Sequence, residues 1–138
     1  MPISLSDKRI LLVDDSAIMR MILVMNLRRL FRIKITEAVN GMEAIARLAE
    51  GTFDLVLTDI NMPELDGLGL IRHIREVMRS DIPILIITTR GESRDRDRGM
   101  ALGANGYVTK PVNMKELVWQ ILQILGGSRQ GKGYLSNP

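Results

Sequence analysis

The chain has 138 residues, 46% of them hydrophobic and 25% charged, with a formal net charge of +3 and no cysteine. That length and balance suit one soluble domain with a sizeable core, and the missing cysteine excludes disulfides, thiolate metal sites and a cysteine nucleophile. Basic residues are interleaved with acids, as in Arg94-Asp95-Arg96-Asp97-Arg98, so no one-signed stripe supports nucleic-acid binding. Residues Met1 to Arg9 lack the apolar stretch of a secretory signal and no run is long enough to span a bilayer, so a cytoplasmic protein without membrane insertion is expected.

Ile10 to Val13 is an apolar run that ends on Asp14-Asp15 and reads as a buried strand. Ser16 is placed to cap a helix from Ala17 to about Leu30. Ile18, Ile22 and Met25 are the expected core stripe of that helix, widened by Met19, Met21 and Val24. Ile33 to Glu37 alternates like a short strand, Asn40-Gly41 marks a turn, and Met42 to Ala49 is a second helix closed by Gly51. Leu55-Val56-Leu57-Thr58 then ends on Asp59 before the loop Ile60-Asn61-Met62-Pro63. Asp66-Gly67 closes the loop, and Leu68 to Met78 carries the third helical pattern, stopped by Ser80-Asp81-Ile82-Pro83.

Ile84 to Thr88 is the fourth strand. The segment Gly91 to Leu102 is helical by position but dominated by charge and interrupted by Gly99, so it is expected to be the least stable helix. Tyr107 to Thr109 is the fifth strand, leading into Lys110-Pro111. In the fifth helix Asn113 and Glu116 have capping-box spacing, and Met114, Leu117, Val118, Ile121, Leu122 and Leu125 recur as one buried face. Trp119 lies off that stripe; with Ile124 it marks a partner or dimer surface if exposed. The domain is expected to span residues 1–126, with 127–138 a disordered tail or the start of a linker. Five successive strand and helix units predict an α/β fold, a doubly wound parallel sheet covered by helices on both faces.

Four of these runs finish on Asp14-Asp15, Asp59, Thr88 and Lys110. In a parallel sheet all carboxyl ends lie along one edge, so these side chains converge in the crevice where such folds bind ligands. Singly, each has an ordinary explanation: an acid pair caps a helix, Asp59 sits in a loop, Thr88 belongs to its strand and Lys110 is a surface charge. Jointly they describe a site. Three carboxylates at one edge repel one another, and a divalent cation is the simplest remedy. Mg²⁺ fits, because it takes oxygen ligands from one or two carboxylates together with phosphate. An aspartate flanked by Mg²⁺, a lysine and a hydroxyl is equipped to attack phosphorus, with Asp59 as nucleophile.

The pieces Val13-Asp14-Asp15-Ser16, Asp59-Ile60-Asn61-Met62-Pro63 with Asp66-Gly67, Thr88, and Gly106-Tyr107-Val108-Thr109-Lys110-Pro111 occur in order between residue 10 and about residue 125. In this the chain resembles the receiver domains of two-component response regulators, most of all the single-domain chemotaxis members, the CheY group. The resemblance implies a flavodoxin-like five-stranded sheet of order 2-1-3-4-5. It implies that Asp59 accepts a phosphoryl group from a sensor histidine kinase or phosphotransfer protein. Asp15, Asp59 and the backbone carbonyl of Asn61 would ligate Mg²⁺, with Asp14 acting mainly through bound water. Lys110 would contact the phosphate, and its bond to Pro111 would be cis. Thr88 would move towards the phosphate while Tyr107 rotates inward, changing the face made by the fourth helix, fifth strand and fifth helix for a downstream target protein.

Such a protein is a signalling phosphoacceptor and not an enzyme, a monomer or weak dimer, limited to self-phosphorylation and slow autodephosphorylation. Asn61 and Arg90 lie two residues beyond Asp59 and Thr88, flanking the path of an attacking water, with Arg90 read as a shield. His73, the only histidine, reads as a surface residue. Three alternatives stand beside this one. The chain is a receiver followed by an output domain, for which Ser128 to Pro138 begins the linker. It is a small phosphohydrolase, which requires a general acid where Asn61 stands. It is a nucleotide- or flavin-binding protein, for which Asp14-Asp15 would repel a phosphate in the absence of metal.

Overall fold

Short apolar runs separated by capped helices fold here as strand and helix units, because each run buries both faces only when helices cover the sheet on both sides. The structure, a computed structural model, describes residues 7–89 and 93–126. Strands β1 (Arg9–Val13), β2 (Lys34–Ala38), β3 (Leu55–Asp59), β4 (Ile84–Thr89) and β5 (Gly106–Lys110) alternate with helices α1 (Ala17–Leu30), α2 (Gly41–Glu50), α3 (Gly67–Arg72), α4 (Ser93–Leu102) and α5 (Met114–Ile121). All the strand pairs are parallel and the order is β2-β1-β3-β4-β5, as expected. The expected tail at 127–138 and Arg90 with the start of the fourth helical segment lie outside the described residues.

Side chains alternate across the sheet and divide the core in two. Leu12, Leu57, Ile87 and Val108 pack with Leu23 and Leu27 of α1 and Leu117 and Ile121 of α5. On the other face Val13, Val56 and Ile86 pack with Ala44 and Leu48 of α2 and Leu70 and Ile74 from the α3 side. The helix starts are local chemistry: the side chains of Ser16, Asn40, Asp66 and Asn113 accept from the backbone N–H three residues on, at 2.8–3.1 Å. After Arg72 the third helix continues as a π-helical turn, His73–Val77, and α5 runs on into another, Leu122–Gly126. Arg75 in the first of these turns donates to Gly103 O at 2.8 and 3.1 Å and to Ser80 O at 2.7 Å, tying α3 to the far end of α4.

One helix sits differently from its expectation. The stripe Ile18, Ile22 and Met25 faces solvent with Met21, Ile18 being 68% exposed, and the buried residues of α1 are Leu23, Val24 and Leu27. Apolar residues on more than one side leave the rotation of such a helix open to its neighbours. Here Arg20 takes part in setting it, with Nη1 donating to Asp14 O at 2.7 Å and Nε pairing with Glu37 Oε1 at 3.0 Å. Those bonds hold Arg20 over the strand ends and bring Leu23 and Leu27, one and two turns on, against the sheet. Trp119 and Ile124 are each half-buried, and Ile124 packs on the α1 and α5 core, so neither is the exposed marker anticipated.

The rotation of α1 has a measurable consequence. Leu27→Ala is expected to cost about 2–5 kcal/mol in urea unfolding, the usual loss for a fully buried leucine, while Ile18→Ser changes stability by about 0.5 kcal/mol or less. Comparable losses from the two would contradict this orientation.

Candidate functional site

The register sets the site. Val13 lies opposite Thr58, so the next residues, Asp14 and Asp59, end adjacent central strands at one level. Asp59 pairs with Ile87, Thr88 with Thr109 and Thr89 with Lys110. By alternation Asp14, Asp59 and Lys110 belong to the face of Leu12, Leu57 and Val108, whereas Thr88 belongs to the face of Ile86. The loop after β3 turns sharply because residue 67 is glycine: a Cβ there would overlap the carbonyl of Asp59 and Cα of Ile60. Gly67 N donates to Ile60 O at 2.8 Å, and α3 begins directly behind the strand end.

Asp14, Asp15 and Asp59 each offer a carboxylate oxygen, and these atoms lie within 4.8 Å of one another. Asp14 is fully buried, Asp59 is 5% exposed, and Asp15 faces solvent. Lys110 Nζ lies 3.2 Å from Asp59 Oδ2 and 3.5 Å from Asp14 Oδ2. The remaining oxygens are partly engaged: Ile60 N donates to Asp59 Oδ1 and Ser16 N to Asp14 Oδ1, each at 2.8 Å. Asp14 Oδ2 is buried with no hydrogen bond among the described residues, since 3.5 Å to Lys110 is an ion-pair approach.

Burial pushes the Asp59 carboxyl above its ordinary value of 3.8; Lys110 pulls it down and Asp14 pushes it up, and the net result is a raised pKa. Burial by itself would lower Lys110, but the facing charges of Asp59 and Asp14 outweigh it and raise the ammonium. One lysine therefore answers two buried acids, and the pocket has room in its charge balance for a further cation.

Around this centre the other anticipated residues fall as follows. Thr88 is 2% exposed, with its hydroxyl 3.5 Å from Thr89 O. Asn61 is exposed in the loop after β3. Lys110–Pro111 is cis. Tyr107 is 36% exposed at the edge strand, away from the carboxylates. His73 is half-buried in the π-helical turn. Three participants were missed in the sequence: the Ile60 N–H on Asp59, Arg20 on the Asp14 carbonyl, and Arg96, whose guanidinium carbon lies 4.7 Å from the centroid of the Tyr107 ring. Only Arg20 had a sequence cue, as a basic residue one turn after the Ser16 cap.

A family model described as "Response regulator receiver domain" matches residues 10–122. The chain belongs to that family. This receiver domain is 37% identical over 132 residues to the transcriptional regulatory protein ResD of Bacillus subtilis, covering 96% of this chain and 54% of ResD. Among solved structures it resembles chemotaxis response regulator CheY4 of Vibrio cholerae, with TM-score 0.78 and 29% identity over 87% of this chain and all of that one. It also resembles response regulator protein TrrA of Thermotoga maritima in complex with Mg²⁺ and BeF, with TM-score 0.76 and 35% identity over 86% of this chain and 99% of that one. The chain spans about half the length of the curated relatives it matches. The cluster of Asp14, Asp15 and Asp59 is an acidic group typical of a Mg²⁺ site.

The raised Asp59 pKa carries a pH dependence. Between the unfolded value near 3.8 and the higher folded value, the folded chain binds more protons than the unfolded one, so this group erodes stability as pH rises through that window. Without divalent cation at pH 7, Asp59→Asn is expected to unfold at a higher urea concentration than the native chain, with the gap closing as pH falls towards 3.8. An Asp59→Asn midpoint at or below the native one at pH 7 would contradict this balance of charges.

Proposed function

We propose that this receiver domain is a phosphorylation-controlled signalling switch in which Asp59 accepts a phosphoryl group from a phosphohistidine of a sensor histidine kinase or phosphotransfer protein. The observation that carries the reading is the pairing of Lys110 with Asp59 at 3.2 Å inside a three-carboxylate cluster of a receiver-family chain. A carboxylate oxygen of Asp59 forms the new bond to phosphorus. The bond from phosphorus to the histidine nitrogen breaks, its electron pair leaves with the imidazole, and an aspartyl phosphate results. Lys110 offsets the charge carried by the transferred oxygens, and the Thr88 hydroxyl donates to one of them.

Asp15, Asp59 and the Asn61 backbone carbonyl would hold Mg²⁺, with Asp14 acting through bound water. The donor set fits that ion, being all oxygen and net negative, and the buried, unbonded Asp14 Oδ2 is an acceptor that a hydrated cation satisfies. Bound there, the ion supplies positive charge to the phosphoryl oxygens. Exposed Ile18, Met21, Ile22 and Met25 begin three residues after Asp15 and give an incoming phosphodonor an apolar surface beside the site.

The new phosphate carries about two negative charges. Thr88 moves towards it and Tyr107 turns inward, which alters the face of α4, β5 and α5 presented to a downstream target. This is a shift between two populated states. Helix α4 suits that part, since Gly99 is its one buried residue among those described and little apolar burial holds it in place. Asn61 stands two residues beyond Asp59 where a phosphohydrolase needs an acid, which favours a phosphoacceptor with slow autodephosphorylation over an enzyme. No helix among the described residues is long and apolar enough to cross a membrane.

A second reading, favoured by the coverage of only 54% of ResD, is that the domain is the receiver module of a longer regulator with an output domain. Both readings share the chemistry at Asp59. Incubation with acetyl phosphate and Mg²⁺ is expected to add one phosphoryl group by intact mass, to add none to Asp59→Asn, and to act about 10²-fold more slowly on Lys110→Ala. A native chain that gains no adduct would contradict the proposal and point to a phosphorylation-independent interaction module.

A further inference from the structure

We infer that Arg96 is a positioning residue for Tyr107, a latch that holds the tyrosine outside in the unphosphorylated domain and so sets how readily the switch is thrown. The inference rests on the reading of Asp59 as phosphoacceptor and Tyr107 as the moving residue. It adds a residue that no part of that reading uses, and it concerns the resting state.

The geometry is specific to this part of α4. The Arg96 guanidinium carbon lies 4.7 Å from the centroid of the Tyr107 ring, within the range at which a cation is attracted to an aromatic face. Its head group also contacts Asp97, with Nε and Nη2 each 3.4 Å from Oδ1. Three residues on, Gly99 fits α4 against the sheet, because a Cβ there would overlap Ile86 Cδ1. Residues three apart share a helix face, so the contact that seats α4 on β4 also aims Arg96 towards β5. Ile86 is the residue paired with Tyr107 in the β4 and β5 ladder. The tyrosine backbone is held independently, with Gln120 Nε2 donating to Tyr107 O at 2.8 Å. Arg96 therefore acts on the ring and not on the strand.

Tyr107 and Thr88 lie on the same face of the sheet, two pairs apart along the ladder. An inward turn of the ring carries it off the guanidinium and towards the β4 end. The cation contact exists in the outward state and is broken in the inward one, so it weighs on one side of the equilibrium only. Removing it raises the fraction of domains ready for the phosphate, and the apparent affinity for a phosphate mimic rises by the same factor. An exposed cation and ring contact corresponds to about a twofold to fivefold effect.

The experiment titrates beryllofluoride, with Mg²⁺ present, into the native chain, Arg96→Ala, Arg96→Lys, Tyr107→Ala and the double variant by calorimetry. In parallel, fluorine NMR of a fluorotyrosine-labelled Tyr134→Phe background reports on Tyr107 alone. Arg96→Ala is expected to bind beryllofluoride about twofold to fivefold more tightly, with the free-state Tyr107 resonance displaced towards its bound position. Arg96→Lys, which keeps the charge but loses the flat head group, falls between. In the Tyr107→Ala background the same Arg96→Ala change has no effect. Unchanged or weaker binding by Arg96→Ala, or an equal gain without the tyrosine, overturns the latch. A native chain that binds no beryllofluoride overturns the phosphoacceptor reading and the latch with it.

Discussion

Two carboxylates buried side by side at the ends of adjacent central strands, with a third within 4.8 Å and one ammonium opposite, set the terms for the rest of the molecule. Like charges this close in a partly desolvated crevice oppose folding unless they are answered. The backbone answers part of it through Ile60 N and Ser16 N, and Lys110 answers part through its ammonium. What is left over is a pocket with an appetite for cations and for groups that bring cations with them. An apolar pocket at this edge would be more stable and chemically inert, so the residual charge reads as stability given up for function.

Several features far from the carboxylates follow from holding that cluster in place. β1 and β3 have to be neighbours and end level, which the crossover order β2-β1-β3-β4-β5 supplies. Gly67 has to be small so that α3 can start against the Asp59 carbonyl. Arg20 couples the Asp14 carbonyl to Glu37 near the end of β2, and in doing so takes part in choosing which side of α1 is buried. The exposed side of α1 is therefore linked to the geometry of the site. Thr88 and Tyr107 lie on the opposite face, where α4, with Gly99 as its one buried residue among those described, packs against Ile86.

Legibility in the sequence followed the strength of the local constraint. Strands with apolar runs, and helix starts with an Asn, Asp or Ser cap, were readable because each is specified by a few adjacent residues. The grouping of Asp14, Asp59 and Lys110 was readable for the same reason: each sits at the end of such a run, and parallel topology places those ends together. The buried face of α1 was not readable, because Ile18, Ile22 and Met25 compete with Leu23, Val24 and Leu27, and packing against the sheet decides between them. The change to a π-helical turn after Arg72 leaves no mark in the hydrophobic pattern, and the Arg96 contact with Tyr107 depends on where Gly99 seats α4. Gly99, which looks like an interruption in the chain, is the buried residue at which α4 packs against Ile86 of the sheet.

Mg²⁺ titration monitored by calorimetry asks whether the three carboxylates act as one cation site at Asp59, the proposed phosphoacceptor. A shared cation site gives a single saturable transition in the native chain, weakened by about an order of magnitude or more in Asp15→Asn, whose exposed side chain can be neutralised with little effect on the fold. Equal Mg²⁺ affinity in the native and Asp15→Asn chains, or no saturable binding in either, would contradict it.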